Sequence, residues 1–193
     1  MSGVETTIGT MKSVEVSAVA NVAERCYLSA VSTAAEIKPP EDAIIVISRV
    51  VDAPRELVFE AFTNPQHLSQ FWGPKWTTAP RCEVDLRVGG KFRVEMRGPD
   101  GATYPCTGVY REIAPPERIV YAGTAEDDNP CGGGLPPRSL VTMTFADQGG
   151  KTKITIHTRL GSYADREAAI AGGFNSGWND SLDRLEALLA HPR

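Results

Sequence analysis

Cysteine is scarce in this chain, and its spacing does not match the usual cysteine-based sites. The 193 residues contain Cys26, Cys82, Cys106 and Cys131, and no two of them form a C-x-x-C pair. Zinc and redox motifs therefore have little support, and so few cysteines do not make a disulfide scaffold at this length. We expect reduced, partly buried thiols.

Long apolar runs and a strong charge of one sign are also missing. No apolar stretch approaches the length of about 20 residues that a membrane-spanning helix needs. The net charge of −4 gives no general attraction to nucleic acid or to an anionic membrane. The N-terminus carries a single early lysine, Lys12, and no apolar segment of the secretory type. We expect a cytoplasmic protein that has no membrane span and binds no nucleic acid.

Local catalytic and metal-binding motifs are absent as well. His67, His157 and His191 share no metal-ligand spacing. The chain contains no phosphate-binding loop, no dinucleotide-binding glycine motif and no nucleophile elbow. We therefore predict no catalytic residue, no metal and no cofactor, and expect a binding or helper module rather than an enzyme.

The organisation of the chain indicates an extension followed by one domain. Residues 1–42 are rich in Ala, Val, Ser, Thr and Glu without a sustained period, and Pro39-Pro40 closes the stretch. This composition predicts a flexible N-terminal extension. The structural domain is predicted over residues 43–191.

The domain begins with a strand and two short helices. Ile44–Val51 is apolar and β-branched, which predicts a strand. Pro54 then suits the start of a helix, and Asn64-Pro65 ends it, because a residue before proline disfavours the α region. A second short helix is predicted to stop at Gly73-Pro74.

Alternating strands dominate the middle of the chain. Cys82, Val84, Leu86 and Val88 are predicted to share one strand face, and later segments up to Leu160 alternate in the same way. The run 129–137, rich in Gly and Pro, is predicted to be a loop. Hairpin-connected strands with one apolar face indicate an antiparallel sheet that packs on one side.

The C-terminal segment is predicted to be the helix that covers this sheet. Apolar residues between Asp165 and Leu189 follow the spacing of one helix face. Gly172-Gly173 predicts a kink, because glycine is costly inside a helix. Gly177 is expected to allow close approach of the sheet.

The order of these elements resembles the START-like (SRPBCC) superfamily, and within it the homologues of the C-terminal domain of the activator of the heat-shock protein 90 ATPase. The resemblance covers about residues 44–189. The matching segments are Val51-Asp52-Ala53-Pro54, Phe71-Trp72-Gly73-Pro74, Asp85-Leu86-Arg87-Val88-Gly89-Gly90, Glu112-Ile113-Ala114-Pro115-Pro116-Glu117-Arg118-Ile119 and Gly177-Trp178. The resemblance implies an α+β helix-grip fold (START/Bet v-like), with two short helices after the first strand and a curved antiparallel sheet wrapped around a long C-terminal helix.

The resemblance also implies a cavity between the sheet and the helix that takes a small apolar or aromatic ligand, and a stress-related role. The lining candidates are Trp72, Trp76, Phe92, Met96, Tyr110, Met143, Phe174 and Trp178. One alternative is a co-chaperone-like module that binds a chaperone or another protein. A second is a cyclase- or hydrolase-type enzyme acting in the cavity, for which Tyr104, Tyr110 and Tyr121 are the better polar candidates.

Overall fold

The computed structural model describes residues 43–124, 136 and 138–190. The predicted flexible extension over residues 1–42 lies outside the described residues. The predicted loop over 129–137 also lies outside them, apart from Pro136. Within the described part, no helix has the length and apolar character that crossing a bilayer requires.

Seven strands and four helices make up the described fold. In chain order they are β1 (Ile44–Val51), α1 (Arg55–Thr63), α2 (Pro65–Phe71), β2 (Thr78–Val84), β3 (Lys91–Arg97), β4 (Thr103–Ala114), β5 (Arg118–Gly123), β6 (Leu140–Gln148), β7 (Lys151–Arg159), α3 (Tyr163–Ala171) and α4 (Phe174–Ala190). The first strand has the predicted bounds, and the two short helices follow it as predicted.

The boundary between the two short helices follows from one asparagine and one proline. The backbone N–H of Asn64 donates to the carbonyl of Glu60 and ends α1. The Asn64 side chain then accepts from the N–H of Gln66, and Pro65 takes the first helical position of α2. One residue thus satisfies groups at two helix ends that would otherwise lack partners.

The strands form one sheet in the order β1-β7-β6-β5-β4-β3-β2, and each pair of neighbours is antiparallel. The register places Tyr110 opposite Tyr121 and Ile119 opposite Met143, so these side chains share the apolar inner face. The sheet is curled, and its inner face receives the helices. The α+β helix-grip class predicted from the sequence is confirmed.

The C-terminal cover consists of two helices rather than one kinked helix. The break falls at the predicted glycines, where Gly172 caps α3 and Gly173 adopts a φ of +89°. The prediction that Gly177 allows close approach of the sheet was wrong. A Cβ at this position would meet the ring of Pro74 at 3.5 Å, not the sheet.

The prediction for Leu86 and Val88 was also wrong. The strand β2 ends at Val84, and the two side chains are 44% and 63% exposed. The N–H of Asp85 makes a last bond to the carbonyl of Lys91, and the chain then turns back through a bond from Gly90 to Arg87. The turn takes Leu86 and Val88 off the inner face, although their spacing matches a strand.

Candidate functional site

A small cavity lies between the two short helices and the middle of the sheet. It is lined by Phe62, Leu68, Trp72, Phe92, Tyr110, Ile119, Tyr121 and Met143. These residues come from α1, α2, the segment after α2, and strands β3 to β6. The space open to the centre of a water molecule is about 10 Å³, which is room for about one water.

Aromatic rings form most of the cavity wall. The Phe92 ring lies at the centre, with its centroid 5.0 Å from that of Tyr121, 5.5 Å from Tyr110 and 5.9 Å from Trp72. The Trp72 ring also contacts that of Trp178 on α4, at 5.1 Å. Edge-to-face and tilted contacts of this kind add to the energy of area burial. The wall is therefore a connected aromatic cluster rather than a set of separate side chains.

Two tyrosines supply hydroxyl groups to this otherwise apolar wall. Burial raises the pKa of Tyr110, and it raises the pKa of the more deeply buried Tyr121 well above the usual value. Burial disfavours the charged phenolate, so both side chains stay protonated at neutral pH. The Tyr121 hydroxyl has no hydrogen-bond partner among the described residues. A buried hydroxyl left in this state costs free energy.

The structure brings four of the predicted lining residues together at the cavity. These are Trp72, Phe92, Tyr110 and Met143. The other four lie elsewhere. Met96 is fully buried beside Gly73, Phe174 and Trp178 are buried on α4, and Trp76 is half-exposed with its ring against Tyr104.

Among the remaining lining residues, Tyr121 was predicted only as a polar candidate for an enzyme acting in the cavity. Phe62, Leu68 and Ile119 were not predicted, although the sequence carries a signal for each. Phe62 and Leu68 are apolar residues of the two short helices, and the prediction considered mainly the sheet and the last helix. Ile119 and Tyr121 alternate on β5. If β4 and β5 are taken as a hairpin that turns at Pro115-Pro116, Tyr121 falls opposite Tyr110, as the structure shows.

Residues 72–77 connect α2 to β2 and form the corner beside Trp72. Hydrogen bonds join this corner to α4. The N–H of Gly73 donates to the Ser181 hydroxyl at 2.9 Å, and the N–H of Lys75 donates to Asp180 at 3.0 Å. Arg184 donates to the carbonyl of Thr77 at 2.9 Å. These contacts hold one wall of the cavity in place.

A charged network continues from this corner to the edge of the sheet. Asp183 on α4 accepts from Lys75 Nζ at 2.7 Å and from Arg49 Nη1 at 2.9 Å. Arg49 lies on β1 and also contacts Glu186 at 3.2 Å. The hydrogen bond from Lys75 and then that from Arg49 lower the pKa of Asp183. Helix α4 is thereby tied to both β1 and the corner.

Groups suited to metal binding or to nucleophilic chemistry do not gather at the cavity. Within the described ranges, no three His, Cys, Asp or Glu side chains lie together in a way that could hold a metal ion. Burial raises the pKa of the Cys82 thiol to about 11, so it remains a thiol at neutral pH. The site as described can enclose apolar matter and offer hydrogen-bond donors.

A curled sheet that encloses helices and a small aromatic cavity defines a helix-grip domain. A family model matches residues 52–190, and the chain belongs to this family, described as Activator of Hsp90 ATPase homolog 1-like protein. A search of curated proteins found no match to the chain.

Solved structures of bacterial proteins share the fold. A protein from Chromobacterium violaceum has a TM-score of 0.63 and 29% identity, covering 76% of this chain and 96% of that one. A protein from Nitrosomonas europaea has a TM-score of 0.68 and 23% identity, covering 78% and 96%. An AHSA1-like protein from Aeromonas hydrophila has a TM-score of 0.58 and 21% identity, covering 77% and 97%.

Proposed function

We propose that this domain binds a small, mainly apolar molecule in the cavity between α1, α2 and strands β3 to β6. The observation that carries the proposal is the connected aromatic wall around Phe92. Removing apolar surface from water contributes about 25 cal/mol per Å². A ligand with a single ring would gain several kcal/mol from such a wall at this rate.

Binding requires the cavity to widen, because its resting space holds about one water. Met143 is the lining side chain best able to give way. It is unbranched, and methionine adapts to irregular space more readily than other apolar residues. Its neighbour on the strand, Thr144, lies on the opposite face of the sheet.

Native mass spectrometry of the purified protein, with analysis of an organic extract of the same sample, tests this function first. A discrete bound mass that also appears in the extract supports ligand binding. A saturation-transfer NMR titration with ethylbenzene then tests the location. We expect Met143→Phe to weaken ethylbenzene binding by about tenfold, because the rigid ring fills space that the ligand needs. A tenfold loss corresponds to about 1.4 kcal/mol of binding free energy, within the range of overpacking costs.

The matched control is Thr144→Phe, which adds the same ring to the outer face of β6. It should bind ethylbenzene as the parent protein does. Equal loss in the two variants, with both folded by circular dichroism, would contradict the cavity as the binding site. The lack of any bound mass and of any ethylbenzene signal would reject the function itself.

A second candidate function is a co-chaperone-like interaction with Hsp90, favoured by the exposed apolar pair Leu86 and Val88. Two exposed apolar side chains in one short turn are a candidate contact for a protein partner, because protein-binding surfaces expose apolar groups. Calorimetric titration against purified Hsp90 tests it, with Leu86→Ser/Val88→Ser as the variant. Val46→Ser, on the opposite edge strand, is the control. Absence of binding by the parent protein would reject this candidate.

A further inference from the structure

The cavity wall carries no charge among the described residues. Its eight lining side chains are aliphatic, aromatic or thioether groups, with hydroxyls only on Tyr110 and Tyr121. An ionised group moved into such surroundings without a partner of opposite charge loses far more hydration than it regains. The wall therefore disfavours a carboxylate or phosphate and favours a neutral molecule.

Each polar group that the wall carries has a hydrogen-bond donor. Trp72 has an indole N–H, which can only donate. Burial raises the pKa of Tyr110 and Tyr121, so each retains its O–H proton at neutral pH. A molecule that pairs with these donors presents an acceptor, such as a carbonyl or ether oxygen.

Tyr121 is the donor that lacks a partner. Its side chain is 2% exposed, and its hydroxyl makes no hydrogen bond among the described residues. It lies directly opposite Tyr110 in the β4–β5 pair, and the Phe92 ring lies 5.0 Å from its own ring. Buried polar groups in native proteins are nearly always hydrogen-bonded, so an unpaired one at a cavity indicates a missing partner.

We propose that the cavity selects a neutral ligand with an apolar body and one acceptor oxygen, which accepts a hydrogen bond from the Tyr121 hydroxyl. This inference rests on the proposed function and specifies its ligand class. Acids and phosphates of the same carbon skeleton are rejected, because the wall offers no cation. Hydrocarbons enter the cavity, but they leave the Tyr121 hydroxyl without a hydrogen-bond acceptor.

Three probes of similar size test the selection: acetophenone, which has a neutral carbonyl; ethylbenzene, which has no oxygen; and benzoate, which is anionic. Their affinities are measured by NMR titration at pH 7 for the parent protein, Tyr121→Phe and Tyr163→Phe. Tyr163 is 52% exposed on α3 and serves as the matched control. Removal of a buried hydroxyl that has no partner leaves the domain folded.

For the parent protein we expect acetophenone to bind about three- to tenfold more tightly than ethylbenzene, the range of one net hydrogen bond. Benzoate should bind more weakly than either. Tyr121→Phe should abolish the preference for acetophenone over ethylbenzene, whereas Tyr163→Phe should leave that preference as in the parent protein.

Two results would overturn the selection while leaving the proposed function intact. One is equal binding of acetophenone and ethylbenzene, which would mean that a water molecule suffices for Tyr121. The other is tightest binding of benzoate. Failure of all three probes would count against ligand binding at this cavity as a whole.

Discussion

Gly73 precedes Pro74 in the chain, and Gly177 on α4 lies against the Pro74 ring. Substitution by alanine should have opposite effects on stability at these two positions. Gly73 has a φ of +101°, and a Cβ there would lie 2.6 Å from the sulfur of Met96 and 2.8 Å from the hydroxyl of Thr77. Gly177 lies in α4, and a Cβ there would meet Pro74 at 3.5 Å, an ordinary contact. The fold therefore requires glycine at position 73, whereas position 177 should accept alanine.

The magnitudes follow from backbone strain and from packing. A positive φ costs an L-residue about 1–2 kcal/mol. Overpacking against the fully buried Met96 adds about 1–3 kcal/mol. We therefore expect Gly73→Ala to lower the free energy of unfolding by about 2–5 kcal/mol. Gly177→Ala should raise it by about 0.5–1 kcal/mol, because alanine is the better helix former.

Urea unfolding at pH 7, followed by tryptophan fluorescence and by circular dichroism, measures both changes. In a double-mutant cycle, Met96→Ala should recover the part of the Gly73→Ala loss that comes from the Met96 sulfur. The parts that come from the backbone and from the Thr77 hydroxyl should remain. Changes of the same sign at Gly73 and Gly177 would refute the reasoning. So would a Gly73→Ala loss that Met96→Ala does not alter.

Two further predictions concern the contacts that hold the domain together. Asp183→Asn should destabilise the fold at pH 7 and destabilise it less at pH 3. The contacts from Lys75 and Arg49 hold the folded-state pKa of Asp183 below its unfolded value of about 3.9. The stabilisation is therefore fully present above the unfolded value and is lost as the pH falls through the folded-state pKa. Urea unfolding at the two pH values measures this, and an equal loss at both would contradict the role of the Lys75 and Arg49 contacts. Thr152→Val should cost about 1–2 kcal/mol, because the fully buried Thr152 hydroxyl donates to the carbonyl of Ala53 at 2.7 Å. An unchanged free energy of unfolding for Thr152→Val would show that this hydrogen bond does not stabilise the fold.

Much of the fold could be predicted because its boundaries depend on local chemistry. The run of β-branched residues over Ile44–Val51, the helix break at Asn64-Pro65 and the break at Gly172-Gly173 each follow from backbone preferences. Leu86 and Val88 could not be placed by the same means. Their alternation matches a strand, whereas the turn at 85–90 is set by hydrogen bonds to β3 and β4.

The site was less accessible to sequence reasoning, because it depends on contacts between distant segments. Alternation placed Phe92, Tyr110 and Met143 on the inner face, and the structure brings them to the cavity. Trp76 has similar chemistry, yet its position after Pro74 sends it outward onto Tyr104. The size of the cavity depends on packing between two helices and four strands, which no local pattern encodes.

The Arg49 network shows the same limit. Arg49 interrupts an apolar strand and points to the inner face, opposite Ile154 on β7. Its partners Asp183 and Glu186 lie 134 and 137 residues away in the chain. Sequence alone indicated a polar face on the last helix but could not pair it with this arginine.

Carbon-13 methyl NMR of Met143 and Met96 tests the central claim most directly. Met143 lines the cavity, and Met96 is equally buried but lies outside it. A titration with acetophenone should shift the Met143 methyl resonance in a saturable way and leave that of Met96 nearly unchanged. Equal shifts at both methyls, or a saturable shift at neither, would contradict the account that this domain encloses a ligand between its short helices and its sheet.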